Sequence, residues 1–196
     1  MRVRTAVAAD EPTVVRTLDL AFANDPFVGW LVGERSSSAP RRTYFSMVFR
    51  RLTLPFGGAF VVGDGEGVAL WAPPNAWDLG LWRSLRILPE VCAVVGWTRM
   101  IKVARALEPI ERSRPPQPWW LLALLGTDPA HQGSGVGSAL LRHQLAACDE
   151  RNEPAVLDTC VEANVGFYAR HGFEVLQTTN IAGGPRCWTM LRPPGA

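Results

Sequence analysis

Residues 119–149 read WWLLALLGTDPAHQGSGVGSALLRHQLAACD. The apolar run Trp119–Leu125 predicts a buried strand. Gly126-Thr127-Asp128-Pro129 ends it, because Pro129 has no N–H to give a ladder and Gly126 permits dihedrals that other residues avoid. Beyond the break, Gln132-Gly133-Ser134-Gly135-Val136-Gly137 opens a pattern in which Val136, Leu140, Leu141 and Leu145 share one face at the helical period. The stretch therefore reads as strand, glycine-rich turn, helix. A helix start leaves its first N–H groups without partners and carries the positive end of the dipole. Such a turn suits an anion, and the natural one is a phosphate or pyrophosphate.

Three phosphate-binding turns compete for this pattern. A P-loop needs Gly-Lys-Ser/Thr, and Lys102 is the only lysine in the chain. A dinucleotide fingerprint needs Gly-x-Gly-x-x-Gly, whereas Gly133-x-Gly135-x-Gly137 lacks the third spacing and follows a strand late in the chain. The third pattern, Gln-x-x-Gly-x-Gly, is met by Gln132, Gly135 and Gly137. A glycine-rich helix start without a ligand is the plain alternative, and the hexapeptide alone does not remove it.

Outward from this stretch, Arg2–Val7 alternates as a first strand would. Asp10-Glu11-Pro12 starts a helix, with Asp10 as its N-cap and Val14, Val15, Leu18, Ala21 and Phe22 on its apolar side. It ends near Asn24-Asp25-Pro26, and a short helix carrying Phe27, Trp30 and Leu31 closes at Gly33. A polar loop follows. Ser38-Ala39-Pro40 then opens a helix with the stripe Tyr44, Phe45, Val48, Phe49 and Leu52. Ala59–Val62 and Gly67–Trp71 flank a Gly63-Asp64-Gly65-Glu66 turn and predict a hairpin. Residues 75–110 read as helical with breaks at Pro89 and Gly96, and Glu111–Pro118 is a proline-rich connector. After the organising stretch come a strand at Ala155–Thr159, a helix at Asn164–His171, a strand from Gly172, a Gly183-Gly184-Pro185 turn and a last strand at Arg186–Leu191. The order implies an α/β sandwich on a mixed sheet.

At 196 residues the chain can bury a sizeable core, and 47% hydrophobic with 19% charged residues reads as globular and argues against a disordered chain. A formal net charge of +2 gives no reason to expect nucleic acid. Met1–Asp10 shows no signal-peptide core, and no apolar run is long enough to span a membrane, so a cytoplasmic location is expected. Cys92, Cys148, Cys160 and Cys187 are widely spaced, which predicts free thiols, and no ligand-like pairing with His131, His143 or His171 predicts a metal.

The run Asp128–Ser138 resembles the acyl-CoA pyrophosphate loop of the GNAT superfamily of N-acyltransferases. Asn164-Val165-Gly166-Phe167-Tyr168 followed by Gly172-Phe173 resembles that superfamily's second cofactor motif, at a similar distance along the chain. The resemblance implies one acetyltransferase domain over residues 1–196, with a mixed, mostly antiparallel central sheet flanked by helices. It implies acetyl-CoA as co-substrate and a small-molecule primary amine as acceptor, with no nucleic acid and no membrane as partner.

Within the superfamily, Arg16–Ala23, Gly126–Leu141 and Gly184–Ala196 are similar to puromycin N-acetyltransferases, while residues 35–117 match them poorly. An antibiotic or aminonucleoside is one implied acceptor. Alternatives are a protein N-terminus or lysine, or a catalytically silent CoA-binding regulatory module.

The resemblance also assigns residues. Cofactor binding falls to Leu125, Gly126, Thr127, Gln132, Gly133, Ser134, Gly135, Val136, Gly137, Ser138, Asn164, Phe167 and Tyr168. Tyr168 matches the tyrosine that protonates the departing thiolate, a role a neutral phenol can fill. Asp158 aligns with a glutamate of the puromycin enzymes and is the implied base, one methylene shorter; burial would have to raise its pKa. Asp25 and Glu162 are rival bases, and the more ordinary reading of each is a capping or solvated acid. Asn164 doubles as a helix N-cap candidate, and Cys160 reads as a packing thiol. Trp30, Tyr44, Trp71 and the Trp77–Trp82 region are candidates for the acceptor pocket, although aromatics at such spacing more often belong to a core.

Overall fold

The computed structural model describes residues 1–33, 37–76, 80–116 and 118–196, and over residues 80–84 the backbone alone. In chain order the elements are β1 (Val3–Thr5), α1 (Glu11–Ala21), α2 (Pro26–Val32), α3 (Ala39–Met47), β2 (Ala59–Val62), β3 (Gly67–Ala72), α4 (Gly80–Val95) and α5 (Met100–Ser113). They continue with β4 (Trp120–Thr127), α6 (Val136–Arg151), β5 (Ala155–Thr159), α7 (Glu162–Ala169), β6 (Glu174–Asn180) and β7 (Arg186–Arg192). One seven-stranded sheet runs in the order β1-β2-β3-β4-β5-β7-β6. Every neighbouring pair is antiparallel except β4 with β5, so the sheet is mixed and mostly antiparallel, as expected.

Both faces of the central strands are covered, which is why β2 and β3 are apolar at every position instead of alternating. Val61 and Leu70 join the cluster containing Val14 and Leu18 of α1 and Phe45 of α3. Phe60, Val62, Ala69 and Trp71 point the other way, into a cluster with Val136, Leu140 and Leu141 of α6 and Tyr168 of α7. Burying each of the valine, leucine and phenylalanine side chains contributes roughly 1.5–3 kcal/mol relative to exposure.

A single irregularity in β4 redirects this pattern. Leu70 pairs with Leu124 and Trp71 with Leu122, so Ala123 is an extra residue in β4, a β-bulge. Before it, Trp120 and Leu122 face the α6 side. Beyond it, Leu124 faces the α1 side and Leu125 the α6 side, a reversal that unbroken alternation would not give. Gly126 consequently lies under α1: a β-carbon there would meet Leu18 Cδ2 at 2.9 Å and Ala21 Cβ at 3.0 Å, so only glycine lets α1 pack this closely.

Several local expectations are revised. Pro89 lies inside α4, and the break falls at Gly96, whose φ of 85° favours glycine. The interior proline costs roughly 3 kcal/mol, which burial of Ile87, Val94 and Val95 along the same helix offsets. Asp10 precedes α1 but does not cap it with its side chain. Its carboxylate instead takes 2.7 Å bonds from Arg4 and a 2.8 Å bond from the Val7 N–H, tying the first strand to the turn that follows. Among the described residues no helix is long and apolar enough to cross a membrane.

Candidate functional site

The β4–β5 ladder is short. Its register runs from Trp120↔Ala155 to Leu122↔Leu157 and stops at the bulge. Beyond that point β4 stays with β3, where Gly67 pairs with Thr127, while β5 stays with β7, where Asp158 pairs with Thr189 and Thr159 with Trp188. Two parallel strands thus part in mid-sheet. A cavity of about 170 Å³ occupies the cleft, walled by Leu121–Leu125 of β4 and Leu157–Cys160 around the end of β5. The other walls come from the α1–α2 region (Phe22, Asp25, Phe27, Val28), α3 (Tyr44), the end of α5 (Leu107, Ile110, Glu111, Arg114) and α7 (Asn164, Tyr168).

The glycine turn lies where β4 leaves the sheet. Asp128 accepts from the Ala130 N–H at 2.9 Å, and Ser134 Oγ donates to the His131 carbonyl at 2.5 Å, which fixes the chain before the helix. Gln132 Nε2 lies 3.4 Å from the Thr127 carbonyl, closing the turn back on the strand end. Gly133 and Gly135 have φ of 76° and 87°, and a β-carbon at either would meet nothing within 4 Å. They are glycine for backbone conformation, and the space over them is open. Gly135 is the N-cap position of α6, and the Ala139 N–H donates to its carbonyl at 2.9 Å. The N–H groups of Val136, Gly137 and Ser138 therefore open the helix without carbonyls four residues back inside it, as at any helix start. Val136 itself is buried under the sheet.

The turn and α7 are in contact. A β-carbon on Gly137 would lie 3.4 Å from Phe167 Cζ and 3.6 Å from Thr127 Oγ1. Ser138 Oγ lies 3.0 Å from His171 Nε2. Phe167 meets both Tyr168 and His171 edge-on at 5.2 Å. Helix α7 begins at Glu162 after Val161, so Asn164 is the third residue of the helix and not its N-cap; it lines the cavity. Glu162 is exposed at the helix start.

Tyr168 is buried and faces the cavity. Burial, with the charge of Asp25 second, raises its phenol pKa above the ordinary range and keeps the proton on Oη at neutral pH. Tyr44 is raised in the same way, by burial first and Asp25 next. Asp25 sits at the N-cap of α2 and accepts from the Val28 N–H at 2.8 Å. Burial pushes its carboxyl up, against the backbone donors that pull it down.

Asp158 has different company. Its Oδ2 takes two bonds from the Arg114 guanidinium, one at 3.1 Å from Nε and a shorter one from Nη2. Its Oδ1 accepts from Thr189 Oγ1 at 2.7 Å, and Thr189 meets Ser113 Oγ at 2.8 Å. The expected solitary base is thus one member of a chain joining β5, β7 and the end of α5.

Other expectations change too. Cys160 is bonded to Cys187, its neighbour across the β5–β7 pair, and is not a free packing thiol; Cys92 and Cys148 are free. Of the aromatic candidates, Tyr44 lines the cavity. Trp71 is fully buried in the cluster on the α6 side of the sheet and is not a pocket residue. Trp30 packs against Phe27 at 6.0 Å and is not among the lining residues. Trp77–Trp82 falls outside the residues whose side chains are described. Sequence reasoning missed Arg114, Thr189, Leu107 and Ile110. Arg114 is the one with a visible signal, a guanidinium directly before a proline pair at the end of an amphipathic helix.

Residues 90–175 match the acetyltransferase (GNAT) domain family. Over that stretch, and against a 27% identical solved structure, the chain is similar to GNAT acetyltransferases. It is an N-acetyltransferase, and the GNAT proteins it resembles typically use acetyl-CoA and acetylate amine acceptors. A structure described as histone acetyltransferase HPA2 and related acetyltransferase from Corynebacterium glutamicum is 27% identical, with 99% of this chain and 96% of that one covered at a TM-score of 0.72. Arylalkylamine N-acetyltransferase 2 from Aedes aegypti shares the fold at 14% identity, with 98% of each chain covered and a TM-score of 0.68. The ribosomal-protein-S18-alanine N-acetyltransferase from Escherichia coli does so at 14% identity, covering 100% of this chain and 94% of that one, at a TM-score of 0.58. The two 14% identical structures carry the fold alone, and none of these matches gives the puromycin likeness specific support.

Proposed function

We propose that residues 1–196 act as one acetyl-CoA-dependent N-acetyltransferase domain whose acceptor is a primary amine on a small molecule. The observation that carries this reading is the parted β4–β5 pair, with an open left-handed glycine turn at one end of the cleft and a tyrosine-lined cavity beside it. The turn fits a pyrophosphate on its own geometry: the space over Gly133 and Gly135 is open, and the helix start behind them presents N–H groups. Gln132, Gly133, Ser134, Gly135, Val136, Gly137 and Ser138 would hold the phosphates. Leu125, Gly126 and Thr127 would hold the adjoining arm along the strand, with Asn164 and Phe167 flanking it. Acetyl-CoA supplies an activated acetyl thioester.

Tyr168 Oη holds the proton offered to the departing sulfur. Its raised pKa does not disqualify it, because the desolvation that strengthens the phenol's hold on its proton also raises a thiolate's affinity for one. Asp158 is better read as a positioning residue than as the proton acceptor, since Arg114 and Thr189 occupy both of its oxygens. The similarity of Arg16–Ala23, Gly126–Leu141 and Gly184–Ala196 to puromycin N-acetyltransferases supports an aminonucleoside among the acceptors to be tried. The named substrate of the mosquito enzyme supports an arylalkylamine.

The test is calorimetry with acetyl-CoA, followed by a screen of small amines, puromycin and peptide N-termini with release of free CoA as the readout. Micromolar binding, about −8 kcal/mol, and saturable turnover of a small amine are expected, with puromycin turnover negligible beside it. Binding without turnover of any amine would leave a regulatory CoA-binding module. Turnover confined to peptides would replace the small-molecule acceptor.

A further inference from the structure

We propose that Asp25 is the ammonium-binding group of the cavity, and that the acceptor is a primary amine carried on an aromatic or apolar body. This deepens the amine-acceptor reading above and rests on it. Three carboxylates line the cavity: Asp25, Glu111 and Asp158. Asp158 is paired with Arg114. Glu111 is exposed near the end of α5. Asp25 is half-buried, and among the described residues it has no cationic partner. A desolvated carboxylate without a countercharge is costly unless something supplies one.

The side chains around it set the chemistry of the supplier. Phe22 and Phe27 lie on either side of Asp25 in the chain, and Tyr44 and Tyr168 both feel its charge. Leu107 and Ile110 add apolar surface to the lining. An ammonium in such a pocket is attracted by the carboxylate in a poorly solvated space and by the aromatic faces. The walls leave an apolar or aromatic body well matched, whereas a body with further amines or hydroxyls would bury donors without acceptors. Burial raises the Asp25 carboxyl, the response of a carboxylate that lacks a cation nearby.

The experiment uses the whole protein saturated with free CoA, which blocks turnover, and titrates 2-phenylethylamine, its neutral counterpart 2-phenylethanol, and putrescine by calorimetry. Wild type should bind 2-phenylethylamine at least tenfold more tightly than either of the others. D25N keeps an N-cap acceptor for the Val28 N–H, so helix α2 should stay intact. It should weaken 2-phenylethylamine binding at least tenfold while leaving 2-phenylethanol and acetyl-CoA within twofold. Equal binding of the amine by wild type and D25N would overturn the assignment, as would an equal loss for amine and alcohol.

The wild-type preference needs no variant: a protein that prefers putrescine, or does not distinguish amine from alcohol, refutes the proposal even if D25N fails to fold. The parent reading is followed separately by acetyl-CoA binding and CoA release. A protein that acetylates putrescine but not 2-phenylethylamine keeps the acetyltransferase reading and loses this one, whereas a protein that binds no CoA loses both.

Discussion

The turn between β4 and α6 and the cavity beside β5 lie at the same parting of the sheet but are built from different materials. The turn is backbone: Gly133 and Gly135 adopt left-handed dihedrals, and the groups it presents are main-chain N–H groups at a helix start. The cavity is side chain: Phe22 and Asp25 precede α2, Tyr44 belongs to α3, Ile110 and Arg114 lie at the end of α5, and Tyr168 lies on α7. A backbone site must be contiguous, and it constrains residue type through φ alone. A side-chain pocket is assembled from segments far apart in sequence, each of which can vary its residue without altering the scaffold. The two regions should therefore answer mutation differently, in affinity on one side and in chemistry or acceptor choice on the other.

Tyr168 gives the largest expected effect, because it stands on the cavity side and would act on the chemical step. Tyr168→Phe keeps the ring, and with it the edge contacts to Phe167 and Phe173 at 5.2 and 6.0 Å. It removes the phenolic proton at this position. Single-turnover rates should fall by roughly 10²–10⁴-fold, with acetyl-CoA affinity and the melting temperature nearly unchanged. Single turnover is the right measurement because product release can hide a chemical defect. A melting temperature that falls while the rate holds would make Tyr168 a packing residue and erase the contrast drawn above.

Gly135→Val tests the other region. No neighbour obstructs a β-carbon at this position, so steric exclusion by the protein is not the reason for glycine. The reason is φ of 87°, which a β-branched residue resists at a cost on the order of 1–3 kcal/mol. If the loop pays that cost by abandoning its conformation, acetyl-CoA affinity should drop by about 10- to 100-fold. The single-turnover rate at saturating acetyl-CoA should change little. Equal calorimetric affinities for wild type and variant would remove the phosphates from this turn.

The same contrast explains what could be read from the chain. The strand–turn–helix over Trp120–Arg151, the hairpin of β2 and β3 and the alternation of later elements were legible, because each is set by local periodicity or by glycine and proline. The bulge at Ala123 was not, since nothing about an alanine within an apolar run marks it as the extra residue. That bulge decides where the sheet parts, so the cavity could not be placed either. Asp158 was found by resemblance, but its partners Arg114 and Thr189 are 44 and 31 residues away and meet it only through the pairing of β5 with β7 and the packing of α5. Cys160 and Cys187, 27 residues apart, become neighbours through that same pairing, so their spacing carried no sign of a bond.

The smallest expected effect falls at the seam between the two regions, where Ser138 of α6 meets His171 beyond α7 at 3.0 Å. Burial, then the positive charges of Arg142, Arg170 and Arg192, lowers the His171 pKa below its ordinary value, so the ring is neutral at pH 7. In the unfolded chain the same ring titrates near 6.5. Below that pH the unfolded state binds the proton more readily, so this contribution to stability is complete above about pH 6.5 and is lost as the pH falls toward the folded value. His171→Gln keeps a side chain able to bond Ser138 but removes the titration. Between pH 7.5 and pH 5.5 the wild type should lose more in melting temperature than the variant, by a small margin because the half-exposed ring is screened by solvent. The low-pH loss due to Asp149, whose carboxyl is held down by Arg192, belongs to a window below the ordinary carboxylate value and should be common to both proteins. Parallel curves across pH 7.5–5.5 would show that His171 does not couple the glycine turn to α7 through its charge, and would leave Phe167 against Gly137 as the contact that joins the two regions.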